Sequence, residues 1–315
     1  MKNIYSILIL VGVLLTACQD DSVEVPTLNV SVNKTEFVEG ELAQFQLTGS
    51  ADFVTFFSGE VGSRYEFSER LSAEGTSILS FNSAVANGTQ ESSLQLLVSQ
   101  DMTIEGERDS LAVAQGITSA TWTDITDRAE WATSSSSTSS GDIDLTDFSN
   151  KPVYLAFKYT GYPGSVQNKW TISSLVVQNN LPDSTSYTIA NHTTSTINNY
   201  GISTTTSPGW VGRNLVNSYN WGVSSTNFAI TGSTNAGTAV EAEAWCISGP
   251  IDLTRVTPNV GKLVKNMAAS MTDYEYQFNT AGEYKATFVG KASNVYGEED
   301  VVKEVNIVVQ PLEEE

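Results

Sequence analysis

Tyr276-Gln277-Phe278-Asn279-Thr280-Ala281-Gly282-Glu283-Tyr284-Lys285-Ala286-Thr287-Phe288 reads as two strands joined by a turn. Tyr276 and Phe278 on one side, and Tyr284, Ala286 and Phe288 on the other, alternate with polar residues. That is the period of a half-buried strand, and Asn279 to Gly282 supply the turn. Further on, Val301, Val305, Ile307 and Val309 fall largely on one face of a run from Val301 to Val309. With Tyr274 to Phe278 and Tyr284 to Val289, the end of the chain supplies about three strands. Three strands alone leave one apolar face uncovered. The missing half comes from the other end, where Leu28 to Val32, Leu42 to Leu47 and Phe53 to Phe57 read as strands too.

The expected fold class is therefore all-β, and the first domain is split. Residues 27–72 and 268–311 together form one immunoglobulin-like sandwich. The hairpin above resembles that of PKD-type domains, in which a Thr-Ala/Pro-Gly-Glu/Thr-Tyr turn feeds an alternating strand. The insert, residues 73–267, is long enough for a domain of its own. Leu94 to Val98, Val153 to Tyr159, Trp170 to Val177, Phe228 to Thr231 and Ala244 to Ile247 recur in it at the spacing of a jelly-roll-like β-sandwich. Almost no helix is expected. Thr133 to Ser140 and Thr193 to Thr206 are nearly all small and polar, and read as solvated loops.

The first residues are of another kind. Lys2 precedes an apolar run from Ile4 to Leu15, which ends in Leu15-Thr16-Ala17-Cys18. A short positive start, an apolar stretch and small residues make a secretory leader, residues 1–17. The run is far short of the ~20 residues of a spanning helix. A cysteine directly after the small residues matches the bacterial lipoprotein pattern, in which Cys18 is lipidated and residues 18–26 act as a tether. Gln19-Asp20-Asp21 resembles the export signal that carries Bacteroidota lipoproteins to the cell surface. In enterobacteria an acidic residue there signals inner-membrane retention instead.

Composition narrows the function. The chain has 315 residues, 36 acidic against 16 basic, and a formal charge of −20. Such a chain repels nucleic acid and polyanionic glycans, so neutral polysaccharides, oligosaccharides or peptides are its easier partners. The one histidine, His192, limits hydrolytic triads and metal pairs, and it sits in a polar stretch that reads as a solvated loop. Cys246, in Ala244-Trp245-Cys246-Ile247, reads as a small buried hydrophobe. No phosphate loop is present and no carboxylate pair stands out, so the expectation is a protein that is not an enzyme and requires no cofactor. Asp142, Asp144 and Asp147 lie close enough in sequence to suit a structural calcium ion, which takes several oxygens from a short loop. Ile143 and Leu145 between them equally fit a half-buried strand.

Aromatic residues in loops suit a sugar, whose C–H-rich face packs on a flat ring. The candidates are Trp210 in Pro208-Gly209-Trp210-Val211-Gly212-Arg213, with Arg213 itself, then Tyr200, Tyr162, Tyr219 and Trp221. Trp122, Trp131, Trp170 and Trp245 lie in or beside strand-like runs and are assigned to the core.

Four segments resemble the DUF5017 family of Bacteroidota lipoproteins. They are Ala51-Asp52-Phe53 through Ser58-Gly59-Glu60-Val61-Gly62-Ser63-Arg64-Tyr65-Glu66-Phe67 with Arg70; Trp122 to Arg128 leading to Asp144-Leu145-Thr146-Asp147-Phe148; Pro152 to Tyr159; and Trp245 to Leu253 followed by Pro258-Asn259-Val260-Gly261 and Lys265. Asn259 stands where aspartate is expected and Phe57 where tyrosine is commoner. The resemblance implies a lipid-anchored protein of the outer membrane, exposed at the cell surface. It would bind extracellular glycan beside an outer-membrane glycan-import receptor complex. An adhesion or scaffold protein with protein partners is the alternative.

Overall fold

The structure is a computed structural model that describes residues 22–103, 110–192 and 208–313. The chain is nearly all β and forms two compact units. One is residues 1–69 with 258–315, and the other is residues 70–257. Cys18 and Tyr200 lie outside the described residues. No helix among the described residues is long and apolar enough to cross a membrane.

The first unit is built from both chain ends. Its described residues form two sheets. Leu42–Gly49 lies between Leu28–Val32 and Tyr274–Gln277 in one. The other runs Lys262–Lys265, Phe53–Phe57, Gly282–Asn294, Gly297–Gln310 and Glu36–Val38, the last pair being parallel. Alternation decides which residues turn inward: Ala43, Phe45 and Leu47 are buried along the Leu42–Gly49 strand while their neighbours are exposed. They meet Val54, Phe56, Phe288, Ile307 and Val309 from the other sheet in one core. The unit takes up the chain again at residue 258, ten residues earlier than the expected 268. The cause is the Lys262–Lys265 strand, which pairs with Phe53–Phe57 and extends the second sheet.

The second unit also has two sheets among its described residues. Trp210–Val216, Ala242–Ser248, Tyr154–Gly161, Leu94–Ser99 and Thr123–Asp124 follow one another in the first. Asn168–Asn180 and Thr76–Asn87 are the long central strands of the second. Tyr154–Gly161 is apolar on both faces because both are covered. Leu155, Phe157 and Tyr159 enter the core that includes Ile172, Val177 and Phe228 from the second sheet. Tyr154 and Ala156 face the opposite way, with Trp245 and Ile247, against an α-helix at Ser110–Ser119 (α1).

This helix is short, in keeping with the expectation of almost no helix. Its Ser-, Thr- and Gly-containing sequence buries only Val113, Gly116 and Ile117, the i, i+3, i+4 stripe of a narrow apolar face. Trp122 joins it by donating its Nε1–H to the Ile117 carbonyl at 2.9 Å.

Candidate functional site

A cleft of about 520 Å³ opens on the second unit, where the end of the Thr76–Asn87 strand and the turn into Leu94–Ser99 meet the segment after Thr126–Arg128. Trp131 and Trp170 are among its lining residues, their rings edge to face at 5.9 Å. Trp170 donates its Nε1–H to Ser93 Oγ at 2.9 Å and is buried. Trp131 lies over Phe81 at 5.3 Å, donates its Nε1–H to the Thr126 carbonyl, and remains half-buried. It is also part of a shallower depression with Asp124, Thr126, Asp127 and Ala129, so it is shared by two hollows.

The rest of the lining is mostly uncharged and polar. Thr89, Gln90, Ser92, Thr126, Thr133 and Asn168 contribute, and Glu91 is the one charged residue. Asn168 is buried and holds the turn. It accepts from the Gln90 N–H at 3.1 Å and donates to the Gln90 carbonyl at 2.7 Å and Ser93 Oγ at 2.8 Å. Gln90 in turn donates from Nε2 to the Tyr162 carbonyl and Ser165 Oγ, both at 2.7 Å, and accepts from the Tyr162 N–H at 3.0 Å. Tyr162, a sequence candidate, is 43% exposed and is tied through Gln90 to this cleft.

The other sequence candidates are not brought together as a platform. Trp210 is fully buried, 4.7 Å from the Phe228 ring, with its Nε1–H donated to the Asn191 carbonyl. The reason is local: Gly209, at φ 83°, makes the turn, and Trp210 is already the first residue of a strand whose inner face enters the core. Trp221 is buried as well, its Nε1–H donated to the Ala244 carbonyl at 3.1 Å. Tyr219 packs half-buried on the same core, and Arg213 turns back to the Gly212 carbonyl at 2.6 Å. His192 corrects the loop reading. It is buried, its Nδ1 accepts the Leu175 N–H at 3.1 Å, and its ring meets Phe228 edge to face. Cys246 is buried in the core, and burial pushes its thiol up, away from reactivity.

The three aspartates do not converge either. Ile143 and Leu145 enter the core between them, Asp144 Oδ1 accepts the Thr146 N–H, and Asp147 is gripped by Arg128 through both oxygens at 3.0 and 2.8 Å. Among the described residues no group of three His, Cys, Asp or Glu is placed to hold a metal ion. The hydrogen bond from Arg128 holds the Asp147 carboxyl below its ordinary range. The unfolded chain restores the ordinary value. The pair's contribution is thus complete above that value and is lost as pH falls through the lower, folded one. With Asp147 more than half exposed the contribution is at most about 1 kcal/mol. Asp147→Asn should shrink the acid-side loss of stability by that amount, read from urea melts between pH 6 and 2.

In the first unit, the Ser58 to Phe67 segment has a structural explanation. Gly59 sits at φ 86°, and a Cβ there would lie 2.7 Å from the Lys285 backbone nitrogen. Ser63 Oγ accepts the Ser58 N–H, and Tyr276 donates its hydroxyl to Glu60. Buried Asn259 accepts the Arg64 N–H at 3.0 Å, a role aspartate would fill equally. Gly59→Ala meets both a left-handed backbone and a backbone clash, and should cost about 2–4 kcal/mol in a denaturant melt.

The family model described as "Domain of unknown function (DUF5017)" matches residues 17–197. Every residue of the Trp131 cleft falls within that span. No curated protein and no solved structure matches the chain.

Proposed function

The chain belongs to the DUF5017 family, and from that premise we propose that it is a surface lipoprotein of the outer membrane that binds a neutral extracellular glycan without cleaving it. It would act in support of a neighbouring glycan-import receptor complex. The observation that carries this reading is the cleft at Trp131, lined by two aromatic rings together with hydroxyl and amide groups. That combination stacks on a sugar ring and bonds to its hydroxyls. The scarcity of charge in the lining favours a neutral glycan over a polyanion, in agreement with the net charge of −20.

Residues 22–315 should give a saturable hit on an array of neutral and acidic polysaccharides. Trp131→Ala should then weaken that binding at least about tenfold, the loss of one stacked aromatic. Thermal melts of the variant should show that the fold persists. A folded wild-type protein that binds no glycan would move the reading to a scaffold with protein partners. The anchor is tested separately: Cys18→Ser should release the protein from membranes, and retention would refute lipidation.

A further inference from the structure

The first described residues run beside the tip of the longest hairpin of the first unit. Asn294 Nδ2 donates to the Ser22 carbonyl at 3.4 Å, and a Cβ on Gly297 would lie 3.8 Å from Val23. Between Gly282–Asn294 and Gly297–Gln310 the turn consists of Val295 and Tyr296, which are 91% and 52% exposed. The tip thus sets an apolar and an aromatic side chain next to each other in solvent. Val295 is the most exposed large hydrophobic residue described. Cys18 precedes Ser22 by four residues, and four residues span at most about 14 Å however they are arranged.

We propose that Val295 and Tyr296 form a membrane contact, a shallow second point of attachment to the lipid surface beside the acyl chains on Cys18. The proposal rests on the lipid anchor at Cys18. An acyl chain inserted there puts the tip within reach of the headgroup region. Tyrosine, apolar in its ring and polar at its hydroxyl, suits that region. With a single acyl chain binding is marginal and reversible, so there the added apolar contact reads directly as tighter partition. The contact is shallow because Glu298, Glu299 and Asp300 follow the tip directly. Glu298 is neutralised by Lys291 at 2.6 Å, whereas Glu299 and Asp300 carry exposed charge that stays in water. The lipid this tip fits is zwitterionic.

The chain from Cys18 to Glu315 holds both folded units and has two thiols, of which Cys246 is buried and so protected from the reagent. Alkylating Cys18 with a single fourteen-carbon chain and measuring partition into phosphatidylcholine vesicles gives the test. Val295→Ser/Tyr296→Ser should lower the partition coefficient on the order of tenfold. Val61→Ser/Val260→Ser is the control. Those residues are exposed on the same unit near Gly59, which packs on Lys285, about 30 Å down the strand from the tip. The control should partition as the wild type does. Equal partition of the tip variant and wild type, or equal loss in both variants, overturns the proposal. Because the chain is attached chemically, the result is independent of native lipidation, which the mass of Cys18 in the membrane-derived protein reads by itself.

Discussion

Trp210→Ala should destabilise the residue 70–257 unit by about 3–5 kcal/mol, the cost of emptying a large buried aromatic site. The ring is fully buried against Phe228 and Phe157, at 4.7 and 6.1 Å. Its removal also takes the indole donor at 3.2 Å away from the Asn191 carbonyl. Denaturant melts should show the midpoint fall, and amide exchange should quicken in Trp210–Val216 and in Ala242–Ser248, with which it pairs. Trp131→Ala should behave in the opposite way, with glycan binding lost and the fold kept. A stable Trp210→Ala protein that has lost sugar affinity would return Trp210 to the binding surface and displace the Trp131 cleft.

The contrast between these two tryptophans shows what the sequence carries and what it does not. Residue patterns at the chain ends are legible because one face is wet and the other dry, so period two survives in the residues themselves. Phe53–Phe57 is where the alternation and the composition place it. The Val153 to Tyr159 run is legible as a strand, but its two buried faces are not, because covering the outer one takes a helix whose apolar stripe is three residues wide. Whether an aromatic ring faces in or out is set by partners far away in sequence. Trp210 follows Pro208-Gly209 and has the neighbours of a loop residue, yet the strand begins on it. Trp131 has the neighbours of a core residue, yet it stays half-buried where it packs on Phe81 and Trp170. The ties among Gln90, Asn168 and Tyr162 span more than seventy residues and leave no local signature.

Phe56→Ala should cost the other unit about 3–5 kcal/mol, and the loss should be felt at both chain ends. Phe56 is fully enclosed by four rings: Phe45 at 5.7 Å, Tyr274 and Tyr276 at 5.0 Å each, and Phe288 at 4.8 Å. Phe45 comes from the first part of the chain and the other three from beyond residue 270, so this one side chain joins segments more than two hundred residues apart. All four contacts are tilted, the arrangement in which aromatic pairs add about 0.5–1.5 kcal/mol beyond area alone. Phe56→Leu keeps part of the volume but loses the four ring contacts, and should cost less than the alanine variant without being neutral. Amide exchange localises the effect: with alanine, protection should drop in Leu42–Gly49 and in Gly282–Asn294 together, although they come from opposite ends of the chain. A loss confined to one of them, or a total cost below about 1 kcal/mol, would mean that the chain ends do not share this core. The neighbourhood of Phe56 would then have to be redrawn from the Phe53–Phe57 pairing outward.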